Sequence, residues 1–268
     1  VFGLVMALAP AIGPTLSGWV IEHYSWRMLF WIIFPFTVLF LLLGLLKLKN
    51  ITPNRDIKIE VVSLIYSTLA FGGLLYGFSS AGEIGWSKPA VYLPIALGAI
   101  FLVLFIVRQL RLREPMLEFR IFKYPMFALS STISIVLSAS MFSGMILTPI
   151  YVQSVRGISP FDAGLLMLPG AIVMGIMSPI TGKLFDKYGP RMLATVGLLS
   201  MAITTYMFSR LTLDMAYFTI MLLYTVRMFG MSLVMMPVMT NGLNQLPMIQ
   251  YPHGTAMNNT LQQVSGAI

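Results

Sequence analysis

The sequence predicts an all-α, polytopic transmembrane helical bundle, and three observations carry that expectation. Long apolar runs recur from one end of the chain to the other. Charged residues make up 10% of the 268, where a soluble domain carries about a quarter. Mean hydropathy is +0.86. Each run can cross a hydrocarbon core of roughly 30 Å as about 20 helical residues. The runs are continuous rather than alternating, which selects helices over a barrel.

Eight full spans are expected, at about 1–21, 28–46, 61–80, 90–107, 127–151, 163–182, 191–209 and 216–238, and a ninth begins near Gly254. The loops between them are short, so no soluble domain fits. Lys47, Lys49, Arg55 and Lys58 follow the second span. Arg108, Arg111, Arg113, Arg120 and Lys123 follow the fourth, and Lys183, Lys187 and Arg191 follow the sixth. The opposite loops hold Arg27, Lys88, Arg156 and Arg210. Basic residues are retained on the cytoplasmic side, so the first group faces in and the first span runs outward. Trp19, Trp26, Trp31 and Trp86 then fall at the outer interface, where amphipathic rings sit. The chain opens on Val1 inside an apolar run and stops at Ile268 as another helix begins. Both ends are therefore expected to be internal to a longer protein.

Composition also narrows function. Without cysteine there is no disulfide framework, thiolate metal site or thiol nucleophile. The net charge of +8 is spread between apolar runs rather than gathered on one basic face, so no nucleic-acid partner is expected. No acid/base, nucleophile or metal constellation lies at membrane depth, so neither an enzyme nor a bound cofactor is expected. A channel would need a filter sequence or rings of charge, and neither is present.

The first span carries Ala9-Pro10-Ala11-Ile12-Gly13-Pro14-Thr15-Leu16-Ser17-Gly18. Two prolines four apart each remove a backbone donor and bend the helix. Ala9, Gly13 and Ser17 recur every four residues, with Gly18 following, so one face is nearly bare and a neighbour can approach closely. This stretch resembles the GxxxGPxxGG antiporter signature on the fifth helix of major facilitator superfamily exporters. Gly13, Pro14 and Gly18 match it; Ala9 and Ser17 stand where glycines are usual, both still small.

A cytoplasmic loop reads Gly182-Lys183-Leu184-Phe185-Asp186-Lys187-Tyr188-Gly189-Pro190-Arg191. It suits a hinge between two helices. Asp186 is placed to cap the next helix or pair with Arg191, Gly189 allows the turn, and Pro190 suits a first helical position. The loop resembles the family's GxLaDrxGrk signature through Gly182, Leu184, Asp186, Gly189 and Arg191. The resemblance implies a conformational role, tying adjacent helices in one state and releasing them in the other.

Arg227 lies in the middle of a span, about 15 Å from either end. A charge at that depth costs about 2.5–3.5 kcal/mol on insertion scales, so it needs a partner or a cavity. Two readings stand: a structural contact, or a charge lining a translocation path. Acidic residues lie instead in loops or at span ends, so any titrating carboxylate for proton coupling is expected in N-terminal helices beyond this chain. Ser130, Ser134 and Ser138 place hydroxyls on one helix face, for packing or for a wet path, and Asn258 opens the ninth helix with an amide. The many Met residues of the later spans suit varied apolar guests or serve as ordinary filler.

The order of features adds a further likeness. An antiporter-type helix, one more span, two intervening spans and then the Ser159–Gly170 stretch and the Gly182–Arg191 loop resemble the fourteen-helix drug:proton antiporters, the multidrug and lincomycin-resistance type. On that mapping residues 1–50 end an N-terminal bundle, 51–123 form two extra linker spans with basic loops, and 124–268 make most of a C-terminal bundle. The resemblance implies a major facilitator fold in the plasma membrane that is monomeric and surrounded by lipid. It would export amphipathic small molecules by alternating access, with the proton gradient as energy source and no cofactor. Export of a dedicated peptide, lipid or siderophore, or a membrane scaffold, are the alternatives.

Overall fold

The computed structural model of the protein describes residues 2–47, 60–112 and 115–267, with the side chains of 2–12, 83 and 267 outside that description. Lys49, Arg55, Lys58 and Arg113, read above as loop residues, therefore lie outside the described residues, as does the Ala9 side chain. The elements are α1 (Phe2–His23), α2 (Arg27–Lys47), α3 (Val61–Ile84), α4 (Pro89–Arg111), α5 (Pro125–Ile150), α6 (Pro160–Phe208), α7 (Tyr217–Leu243) and α8 (Tyr251–Ala267). A 3-10 turn at Phe119–Lys123, a π turn at Tyr151–Val155 and a 3-10 turn at Met248–Gln250 link them. No strand occurs among the described residues. Among the described residues six helical segments, from Arg27–Lys47 to Tyr217–Leu243, are long and apolar enough to cross a membrane. The fold is an all-α transmembrane bundle.

The sixth and seventh expected spans are two helices that meet at Gly189, and the expected loop between them is largely helix. Nothing from Gly182 to Tyr188 blocks helix formation, so the run breaks at Gly189 alone (φ 75°, ψ 169°), a backbone state essentially reserved for glycine. A straight helix of 49 residues would be about 70 Å long, more than twice a hydrocarbon core. It is not straight. A side chain added at Gly170 would strike Tyr224 and Met228 of α7, and one at Gly197 would strike Gly230 and Leu233 of the same helix. Both halves of α6 thus flank α7, and the chain reverses at Gly189. At its other end α6 starts on Ser159, whose hydroxyl accepts the Asp162 N–H at 3.1 Å, with Pro160 at the first helical position.

The chain divides into two compact units, Val1–Ile57 with Met145–Pro237, and Lys58–Gly144 with Val238–Ile268. In the first unit α1 packs along the start of α6, while α2 has no buried residue, as a helix facing lipid would. In the second, α3 and α4 pack closely where glycines admit the opposing backbone: a Cβ at Gly73 would lie 2.8 Å from the Pro94 oxygen, and one at Gly98 2.9 Å from the Ala70 oxygen. A small apolar core of Ile121, Phe127, Leu246 and Met257 closes the second unit beside α5 and α8.

The α3–α4 pair is also tied at one end. Arg108 donates to the Glu60 carboxylate through Nε, at 2.6 Å, and through Nη2. Glu60 also accepts from Ser63, which in turn accepts from Gln109 Nε2 at 2.7 Å. Gln109 is fully buried, and its Oε1 accepts the Leu117 N–H at 3.2 Å, reaching into the segment beyond α4. From there an aromatic series continues: Phe105 meets Phe119 edge-on at 6.0 Å, then Phe122, then Phe127 of α5. Arg108 and Ser63 together hold the Glu60 carboxyl below its ordinary value, hydrogen bonding to Arg108 being the larger cause.

Candidate functional site

The antiporter-type face of α1 meets the first turns of α6. A Cβ at Gly18 would lie 2.8 Å from the Pro160 carbonyl carbon and 3.1 Å from Phe161 Cα. A Cβ at Gly164 would lie 2.6 Å from Thr15 Cα and 2.7 Å from the Pro14 oxygen. These are backbone-to-backbone contacts that any side chain would push apart. Thr15 adds one hydrogen bond, donating to the Gly164 carbonyl at 3.0 Å. Gly13 differs, because a Cβ there would meet nothing within 4 Å.

Beside this contact lies a cleft of about 360 Å³, lined by Gly13, Pro14, Ser17, Gly18 and Ile21 of α1 and by Pro160, Ala163, Gly164 and Met167 of α6. Met145 and Pro149 of α5 complete the apolar wall, and Gln153, in the π turn, supplies an amide. The volume falls within the range of small-molecule pockets, about 300–1,000 Å³. Gly13, Pro14 and Gly18 are therefore brought together on one surface. Gln153 went unnoticed in the sequence, since an outer-loop amide has no pattern of its own.

The hinge residues are arranged differently from expectation. Gly182, Asp186 and Arg191 are exposed, and a Cβ at Gly182 would meet open space. Among the described residues no ion pair joins Asp186 to Arg191. Both charges project from a helical run, where water solvates each and leaves little gain from pairing. Gly189 carries the break, and Pro190 resumes the helix after it.

Arg227 is buried, with 8% of its surface exposed. Its guanidinium carbon lies 5.7 Å from the centre of the Phe208 ring, at the end of α6. A helical side chain leans toward the N-terminus of its own helix. The charge is thereby carried toward the helix ends and given an aromatic face, which lowers the cost of its depth. The partner was not legible in the sequence. One turn before it, Tyr224 is also buried, against Gly170.

In the second unit Ser134, Ser138 and Asn258 are all buried, at 5%, 6% and 1% exposure. Ser131 Oγ donates to Asn258 Oδ1 at 2.9 Å, an inter-helix bond between α5 and α8. Ser130, from the expected serine series, packs instead against Gly242 of α7. Among the described residues no group of three His, Asp or Glu is arranged to hold a metal.

Long apolar helices, a bare Gly-Pro face and a mid-helix arginine define an integral membrane protein of several spans. Residues 1–268 match the Major Facilitator Superfamily, and the chain belongs to that family. It is 52% identical, over its whole length, to the uncharacterized MFS-type transporter YhcA of Bacillus subtilis, covering 50% of that protein. It is 46% identical over 99% of its length to the lincomycin resistance protein LmrB of Listeria monocytogenes, covering 56% of it. It is 31% identical over 91% of its length to the multidrug transporter protein MdtP of Bacillus subtilis, covering 45% of it. The chain thus spans about half the length of the curated relatives it matches. YhcA and MdtP are named as transporters.

Proposed function

We propose that the protein exports amphipathic small molecules across the plasma membrane in exchange for protons, by alternating access. The observation that carries this reading is the α1–α6 contact, where Gly18 and Gly164 let two helix backbones touch with, among the described residues, one side-chain hydrogen bond between them. Such an interface closes tightly yet separates without stripping buried charges or a polar network. The relatives named for lincomycin and multidrug resistance support the substrate class. The proposal includes the division into 1–50, 51–123 and 124–268, a monomer within lipid, and no cofactor beyond the proton gradient. Gly189 serves as the hinge, with Gly182, Asp186 and Arg191 beside it. Arg227, Ser134, Ser138 and Asn258 line the path.

The test is efflux of a fluorescent lipophilic cation from cells expressing the protein, with and without a protonophore. Efflux should stop when the proton gradient collapses, and efflux that continues sinks the exchange with protons. Arg227→Ala adds a second readout. Lost transport with unchanged thermal stability places the charge on the path, whereas loss of both makes the Phe208 contact structural.

A further inference from the structure

Asn258 is a buried amide with one end satisfied and one end free. Its Oδ1 accepts the Ser131 hydroxyl, while its Nδ2 has neither a partner nor exposed surface. Buried amide N–H groups are paired as a rule, because an unmet donor has given up water for nothing. Exchanging the amide oxygen and nitrogen would not help. Among the described residues the Ser131 hydroxyl makes no bond except the one to Asn258, so the exchange would leave its proton unpaired too. The free end is a donor.

The surroundings give that donor a setting. Ser131, Ser134 and Ser138 recur at helical spacing along one face of α5, each at most 6% exposed. At one end of this stretch Phe127 lies against Gly254, and at the other the Phe142 ring packs so closely on Gly266 that a Cβ there would lie 2.8 Å from its Cγ. Aromatic–glycine contacts thus close both ends of a polar stripe between α5 and α8.

We propose that the Asn258 N–H is a hydrogen-bond donor for an oxygen acceptor (carbonyl, ether or hydroxyl) on the exported molecule, making this stripe a specificity-determining subsite for oxygen-bearing amphipathic substrates. The inference rests on the exporter reading and narrows its substrate class. The stripe is closed in this conformation, and the transport cycle brings the acceptor to it. A site built to hydrogen-bond its guest discriminates strongly against analogues lacking the group, whereas an apolar wall of Met and Leu does not.

The experiment compares two probes in inverted vesicles: lincomycin, rich in carbonyl and hydroxyl oxygens, and tetraphenylphosphonium, which has none. Asn258→Leu should raise the KM for lincomycin by about tenfold or more and leave that for tetraphenylphosphonium unchanged. Asn258→Ala reads the same split if the leucine variant folds poorly. Equal changes for both probes, or no change for either, would overturn the subsite, because a water-filled or merely structural amide affects every substrate alike. Lincomycin binding to the purified protein without any gradient separates the two claims. Binding that Asn258→Leu abolishes, in a protein that transports neither probe, keeps the subsite and removes the exporter. Binding that Asn258→Leu leaves intact removes the subsite.

Discussion

The α1–α6 and α3–α4 interfaces are built from the same small residues and finished in opposite ways. Each brings helix backbones together over glycine: Gly18 and Gly164 in the first, Gly73 and Gly98 in the second. Among the described residues the α1–α6 contact then adds a single side-chain hydrogen bond, from Thr15 to the Gly164 carbonyl, beside an apolar cleft. The α3–α4 contact adds an ion pair, a buried amide and a run of aromatic rings leading on to α5. Close packing alone therefore does not say whether two helices stay together. The polar groups at the end of the contact distinguish the two: the Glu60–Arg108 pair with Ser63 and Gln109 ties one pair of helices, and a nearly bare face lets the other part.

Cross-linking is the sharpest way to break this comparison, and the absence of cysteine leaves a clean background. Ser17→Cys with Ala163→Cys, both lining the cleft, should abolish efflux when bridged and restore it on reduction. Tyr66→Cys with Phe101→Cys, whose rings meet across α3 and α4 at 5.9 Å, bridged the same way, should leave efflux intact. Equal inhibition by the two bridges would refute the division into a parting and a fixed interface. Within α1, Gly18→Ala should destabilise the protein by about 1–3 kcal/mol through overpacking against backbone, read as a fall in thermal unfolding temperature. Gly13→Ala, with open space around it, should be close to neutral in the same measurement.

Smaller effects are expected at the fixed pair. Gln109→Leu leaves the Leu117 N–H without its acceptor and removes one donor to the Ser63 hydroxyl, costing about 1–3 kcal/mol at most. It should speed proteolysis after residue 111 without changing substrate affinity. The smallest effect concerns Glu60, whose carboxyl Arg108 holds below its ordinary value. A depressed carboxyl stabilises fully above its unfolded value, about 4.3 for glutamate, and loses that contribution as pH falls through the folded one. Acid loosening of the 60–124 segment should begin below that pH and be absent in Glu60→Gln, as followed by hydrogen exchange.

Hydropathy made the bundle legible because the hydrocarbon layer selects apolar residues whatever the helix does beyond it. For the same reason it shortened several helices. The seventh helix runs on to Leu243 rather than 238, and the sixth through Tyr188 rather than 182, since polar residues outside the hydrocarbon continue a helix readily. Gly18 was legible as part of a bare face, but its counterpart Gly164 was not, because which helix meets that face depends on tertiary register. Gln109, Ser63 and Ser131 escaped for a related reason. A single polar residue in an apolar run gains meaning once its partner is known, and the partners lie 46, 46 and 127 residues away. The pairing of Asp186 with Arg191, suggested by proximity in sequence, is not formed because both side chains have solvent to turn to.

The reversal at Gly189 also bears on how the protein is made. A hairpin that turns on one residue leaves no free loop to hold one strand of the pair outside while the other is threaded. Residues 160–188 and 190–208 then enter the bilayer as one hairpin, each half satisfying its own backbone hydrogen bonds. A bulkier residue at the turn would be felt first as a failure of insertion and early degradation, before any transport step exists to be impaired.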